Sequence, residues 1–153
     1  CAVLNNSTAI NDGNWHHVAA SFDGTNVTLY VDGTADATAG NTLFKVMAST
    51  NTNALTPSQK KEFLDIADDA KEHAEHIGKN AGKIDHQREH FILLSKDIND
   101  LIKMFGSKMQ LYQDYCPMAD DGKGAIWISE TKEIKNPFYG SKMLTCGSLK
   151  KTL

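Results

Sequence analysis

Two kinds of metal-capable side chain are concentrated in this chain. The first is sulfur: Cys116-Pro117-Met118 and Met143-Leu144-Thr145-Cys146-Gly147 each set one thiol near one thioether. Thiolate and thioether donors together select Cu(I) and related soft ions over hard, oxygen-preferring ones. Pro117 stiffens an extended segment in which Cys116 and Met118, two apart, point the same way, and Met143 and Cys146, three apart, have a chelating spacing on a helical turn. The second kind is imidazole. His73, His76, His86 and His90 flank one short linker, and imidazole suits zinc or copper. The candidate metal ligands are therefore Cys116, Met118, Met143 and Cys146, with His73 and His90 added from the helices. A copper ion is the leading cargo, with zinc or another soft metal next. Thiolate coordination releases protons, so affinity should fall at low pH.

The same residues admit other chemistry. In an oxidising compartment Cys116 and Cys146 would pair as a disulfide with the methionines as core filler, whereas in a reducing one they would be thiols or metal ligands. Simple buried residues are a third possibility. The third cysteine, Cys1, leaves the count odd, and spacing does not decide the redox state.

Those side chains depend on the elements that carry them. Asn26 to Val31 and Trp15 to Phe22 are β-rich around the turn dipeptide Asp23-Gly24. Val27, Leu29 and Val31 alternate with Thr28 and Tyr30, which predicts a hairpin with one buried face. From about residue 35 the period changes to 3.6. Residues 35–49 form a short helix interrupted by Gly40. Thr56, Pro57 and Gln59 supply an N-cap, a first helical position and a capping box, so a second helix runs from 57 to about 77 with Phe63, Ile66, Ala67, Ala70, Ala74 and Ile77 as its stripe and Gly78 as its stop. A third helix from about 84 to 105 follows the linker 79–82, with Phe91, Leu94, Ile98, Leu101, Ile102 and Phe105 inward. Short linkers make antiparallel neighbours.

In that hairpin His73 falls near His90 and His76 near His86. At 100° per residue, His73 and His90 sit roughly 60–70° from the centres of their apolar stripes and His76 and His86 beyond about 100°. The first pair flanks the core, and the second is mostly solvated. Residues 111–153 read as an irregular lobe pinned by Tyr112, Tyr115, Trp127, Ile134, Phe138 and Tyr139. The fold class is thus α+β: an antiparallel helix bundle, an irregular C-terminal lobe and an N-terminal β-hairpin, with domains at 1–34 and 35–153.

Composition narrows the function. The chain has 153 residues, 41% of them hydrophobic, and a net charge of −3 from 16 basic and 19 acidic residues. The charges are interspersed and no basic stripe tracks a phosphate backbone, so nucleic acid is not an expected partner. No run is apolar enough for a membrane span. No nucleophile elbow, P-loop or His-Glu-x-x-His is present, Gly122-Lys123-Gly124 reads as a turn, and the expectation is a protein that is not an enzyme. The opening at Cys1 reads as a processed or excised piece. Adjacent His16 and His17 point to opposite faces of a strand and do not chelate together.

The string Asp12-Gly13-Asn14-Trp15-His16-His17-Val18-Ala19-Ala20-Ser21-Phe22-Asp23-Gly24-Thr25, with Leu29-Tyr30-Val31-Asp32-Gly33, resembles the laminin-G-like, concanavalin-type lectin sandwich. Such a sandwich needs about a dozen strands to close two sheets and form a ligand-binding rim. Carbohydrate recognition is therefore the weakest expectation.

A second resemblance covers most of the remainder. Ile84-Asp85-His86-Gln87-Arg88-Glu89-His90-Phe91, Tyr115-Cys116-Pro117-Met118-Ala119, Gly124-Ala125-Ile126-Trp127-Ile128-Ser129, Lys132-Glu133-Ile134-Lys135-Asn136-Pro137-Phe138-Tyr139-Gly140 and Met143-Leu144-Thr145-Cys146-Gly147 are similar to a small uncharacterised domain of Bacteroidetes-type bacteria, found alone or joined to CusB-like periplasmic adaptors of heavy-metal efflux pumps. The resemblance implies a helical bundle in the periplasm or cell envelope, an efflux adaptor subunit as partner, and a role in copper or heavy-metal efflux. The Cys-Pro-Met and Met-x-x-Cys-Gly motifs would be carried by Cys116, Met118, Met143 and Cys146. The rival expectation is a protein-interaction module stapled by Cys116 and Cys146.

Overall fold

The computed structural model describes residues 18–22, 27–31, 34–35 and 37–153. Trp15, His16, His17, the Asp23-Gly24 turn and Cys1 lie outside them. Strands β1 (Val18–Phe22), β2 (Val27–Val31) and β3 (Thr34–Ala35) form an antiparallel sheet in that order, with Val18 opposite Val31 and Phe22 opposite Val27. Three helices follow: α1 (Ala37–Ala48), α2 (Pro57–Lys79) and α3 (Ile84–Phe105). The molecule is α+β with a helical core.

Local chemistry sets these boundaries. At the start of α2 the Thr56 hydroxyl accepts from the Gln59 N–H while the Gln59 side chain accepts from the Thr56 N–H, and Pro57 needs no partner for the hydrogen it lacks. Ala70, Ile77 and Leu94 form the buried centre of the bundle, flanked by Leu43, Met47, Phe91 and Ile98. Small residues on α2 let its neighbours approach closely, which explains two differences from the sequence pattern. Gly40 does not interrupt α1: a Cβ there would stand 2.7 Å from Ala74 O and from Gly78 N. Gly78 does not end α2, which continues to Lys79; a Cβ on it would strike the Asn41 side chain, whose Nδ2 instead donates to Gly78 O at 3.2 Å. Both glycines serve a helix crossing.

Residues 111–153 are more regular than their pattern suggests. Strands β4 (Tyr112–Cys116), β5 (Ala125–Ser129) and β6 (Ser148–Thr152) make a second antiparallel sheet with β4 in the middle. Cys116, Ala119, Ala125, Trp127 and Phe138 form its core, against which Phe91 and Ile92 of α3 pack. The β4–β5 connection turns through left-handed backbone at Asp120, Asp121, Gly122 and Gly124, so Gly122-Lys123-Gly124 is indeed a turn.

Candidate metal centre

The turn between α2 and α3 is held by side chains that occupy the last carbonyls of α2. Asn80 Nδ2 donates to His76 O at 2.9 Å, and the buried Gln87 Nε2, from the first turn of α3, donates to Ile77 O at 2.9 Å. Carbonyls at a helix end need such partners, and here the partner ties one helix to the other. Gly82, at φ +80°, permits the reversal.

This closure gathers four imidazoles. His76 lies parallel to His90 with ring centroids 4.2 Å apart, and His86 meets His90 edge-on at 4.7 Å and His76 at 5.7 Å. One ligand nitrogen from each of His76, His86 and His90 falls within 4.8 Å of the other two, and all three rings are half-buried. His73 takes another place: its Nδ1 is 3.1 Å from His90 Nδ1, and its Nε2 is 3.9 Å from Asp97 Oδ2. The carboxylate oxygen is buried with no hydrogen-bond partner, the 3.9 Å approach being too long for a hydrogen bond.

Proton positions follow from these contacts. Two bare or two protonated Nδ1 atoms would repel at 3.1 Å, so one ring donates to the other. Ionised Asp97 can only accept, which favours a proton on His73 Nε2. His73 Nδ1 is then bare and accepts from His90 Nδ1–H, leaving the lone pair of His90 Nε2 free. Glu89 Oε2, 3.3 Å from His86 Nδ1, leaves His86 Nε2 free in the same way. Carboxylate or carbonyl partners on the far nitrogen are the usual support for a metal-binding imidazole. Burial first, then the neighbouring His76, His86 and His73, push the pKa of His90 down, which keeps it neutral. Asp97 is shifted up by burial, an effect His73 opposes.

The sulfur residues lie in the second sheet. Cys116 is fully buried, Cys146 is half-buried against the same core, and both are free thiols. Burial first, then the neighbouring Cys116, raises the Cys146 thiol pKa. Met118 and Met143 are 46% and 36% exposed, so their thioethers face solvent while Cys116 is enclosed.

Of the sequence-proposed ligands, the structure brings His73 to His90 and Cys116 to Cys146. It also brings His76 to His86, as the hairpin predicts, and sets both against His90, whereas their angle on each helix taken separately places them mostly in solvent. Two buried polar residues, Asn136 and Asp114, carry no helix or motif signal of their own. Asn136 donates from Nδ2 to Cys146 O at 2.7 Å, and its Oδ1 accepts from the Phe138 N–H at 2.8 Å and the Tyr139 N–H at 3.3 Å. The Asn136-Pro137 pair was its one sequence signal. Asp114, fully buried on β4, has both carboxylate oxygens unpartnered, and burial pushes its pKa up to about 6.

No helix among the described residues is long and apolar enough to cross a membrane. No curated protein and no solved structure matches the chain. A family model described as a laminin G domain matches residues 2–59, a span that runs through the first sheet and the whole of α1 to the first residues of α2. A second, described as a protein of unknown function (DUF3347), matches residues 31–110, which is just over half of the chain and contains all three helices and the four clustered histidines. The chain belongs to this DUF3347 family.

Proposed function

We propose that this domain binds a divalent transition-metal ion, copper or zinc, through His76, His86 and His90. The observation that carries the reading is the convergence of three imidazole nitrogens within 4.8 Å of one another. Three neutral imidazoles are a set that zinc and copper favour, and they leave a coordination position open for exchange. Glu89 and the His73–Asp97 pair act behind them, holding His86 and His90 with their Nε2 lone pairs exposed. The half-buried rings leave the ion reachable from solvent, as a protein that passes metal onward requires. The setting implied by the sequence resemblance is the cell envelope, beside an efflux adaptor subunit that would receive the ion.

Imidazole ¹⁵N NMR on zinc titration tests this reading. One ring-nitrogen resonance each of His76, His86 and His90 should shift together and saturate at one equivalent, while His73 keeps a bare Nδ1. Saturation with no change at these three rings would refute the site.

A further inference from the structure

Cys116 and Cys146 take no part in the histidine site and lie outside the residues matched by the DUF3347 model. Cys116 ends β4, and Cys146 lies two residues before β6, which pairs with β4 so that Tyr115 faces Ser148. Continuing that register by one residue sets Cys116 beside Gly147, next to Cys146. Both side chains belong to one apolar cluster with Ala119, Ala125, Trp127 and Phe138, Cys116 in its centre and Cys146 packed against it. The Cys146 backbone is fixed on both sides, its carbonyl accepting from Asn136 Nδ2 at 2.7 Å and its N–H donating to Met143 O at 3.0 Å. A bis-thiolate metal site would place negative charge in this apolar cluster, where burial already disfavours it. A disulfide removes both protons and leaves a neutral, apolar link.

We propose that Cys116 and Cys146 are a dithiol site that closes to an intramolecular disulfide by exchange with a small-molecule disulfide such as oxidised glutathione. The more exposed Cys146 attacks as its thiolate, breaking the glutathione S–S bond. The first glutathione departs and takes up the proton lost by Cys146. Cys116, losing its own proton, then attacks the Cys146 sulfur of the mixed disulfide, and the second glutathione leaves and is protonated. Two protein thiols are oxidised and one disulfide is reduced to two thiols. The new bond fastens the segment 117–145, which is already joined to α3 by Arg88 Nε donating to Pro137 O at 3.3 Å and by Phe91 against Phe138 at 5.9 Å. Closing that loop restricts the unfolded chain.

The test equilibrates the full chain, with chelator present to keep metal off the thiols, in buffers of graded reduced and oxidised glutathione. Free thiols are alkylated, and peptides are mapped by mass. The expected product is a Cys116–Cys146 linked peptide that forms in oxidising buffer and is reversed by reductant, with an apparent Tm higher by roughly 5 °C or more. Cys146→Ser and Cys116→Ala should each abolish the link and the Tm gain, and Cys146→Ser, at the more exposed position, keeps the test open if the buried substitution fails to fold. Glutathione left on Cys146 alone, a link through Cys1, or full alkylation of both cysteines in the folded protein under oxidising conditions would overturn the proposal.

Discussion

The histidine end of the α2–α3 hairpin and the sulfur-bearing sheet place ligand-type side chains in opposite environments. The imidazoles are half-buried, and His90 is held neutral by burial and by its neighbours. Cys116 is enclosed, and the Cys146 thiol holds its proton more tightly than usual. A soft-ion motif read from residue types therefore sits where ionisation is disfavoured, whereas the histidines, weaker as a motif, sit where neutral ligands converge. Residue type proposes a metal site, and local dielectric and neighbouring charge decide whether the ligands are in the state that binds.

If the two regions are independent, each can be damaged without the other. The largest effect should come from Asn136→Ala, which strips partners from the Phe138 and Tyr139 N–H groups and from Cys146 O, destabilising the protein by about 3–5 kcal/mol in denaturant unfolding. Whatever fraction stays folded should bind zinc with unchanged affinity, and a parallel loss of affinity would join the regions.

Asp114 gives the sheet a pH dependence of its own. A carboxyl with a folded pKa of about 6 and an ordinary value of 3.8 binds its proton more tightly when folded. Its stabilising contribution is thus complete below about pH 3.8 and is lost as pH rises through about 6. Asp114→Asn, neutral at every pH, should stabilise the protein by up to about 3 kcal/mol at pH 7 and by almost nothing near pH 3.5. Equal effects at both pH values would show that the carboxyl is not the cause.

On the helical side, Gly40→Ala forces a methyl against Ala74 O and Gly78 N and should cost about 2 kcal/mol. Smallest is the effect of the supporting pair. His73→Phe or Asp97→Asn should weaken zinc binding roughly 10-fold with stoichiometry kept, whereas a complete loss would make His73 a ligand.

The helices were legible because their signals are local. The capping box at Thr56 and Gln59 and the stripe from Phe91 to Ile102 are read within one element, and α3 runs from Ile84 to Phe105 as the pattern predicts. What was hidden depends on pairs of elements. Gly40 and Gly78 look like breakers until the α1–α2 crossing shows what a Cβ would strike. β4 buries Asp114 between Tyr112 and Cys116, so its alternation is not one of hydrophobicity, and β6, Ser-Leu-Lys-Lys-Thr, is exposed throughout and shows no apolar face. The histidines are a middle case. Linker length brings their helices together, but only Gln87 on Ile77 O and Asn80 on His76 O fix how the helix ends meet, and that contact turns His76 and His86 from solvent toward His90.

The most direct measurement is a zinc competition titration against a chromophoric chelator, run on the reduced wild-type chain, on His76→Ala/His86→Ala/His90→Ala, and on Cys116→Ala/Cys146→Ser. One equivalent bound by the wild type and the cysteine variant, and none by a triple-alanine histidine variant that stays helical, is the predicted result. Binding that survives in the histidine variant and disappears in the folded cysteine variant would contradict the histidine site and return the metal to sulfur.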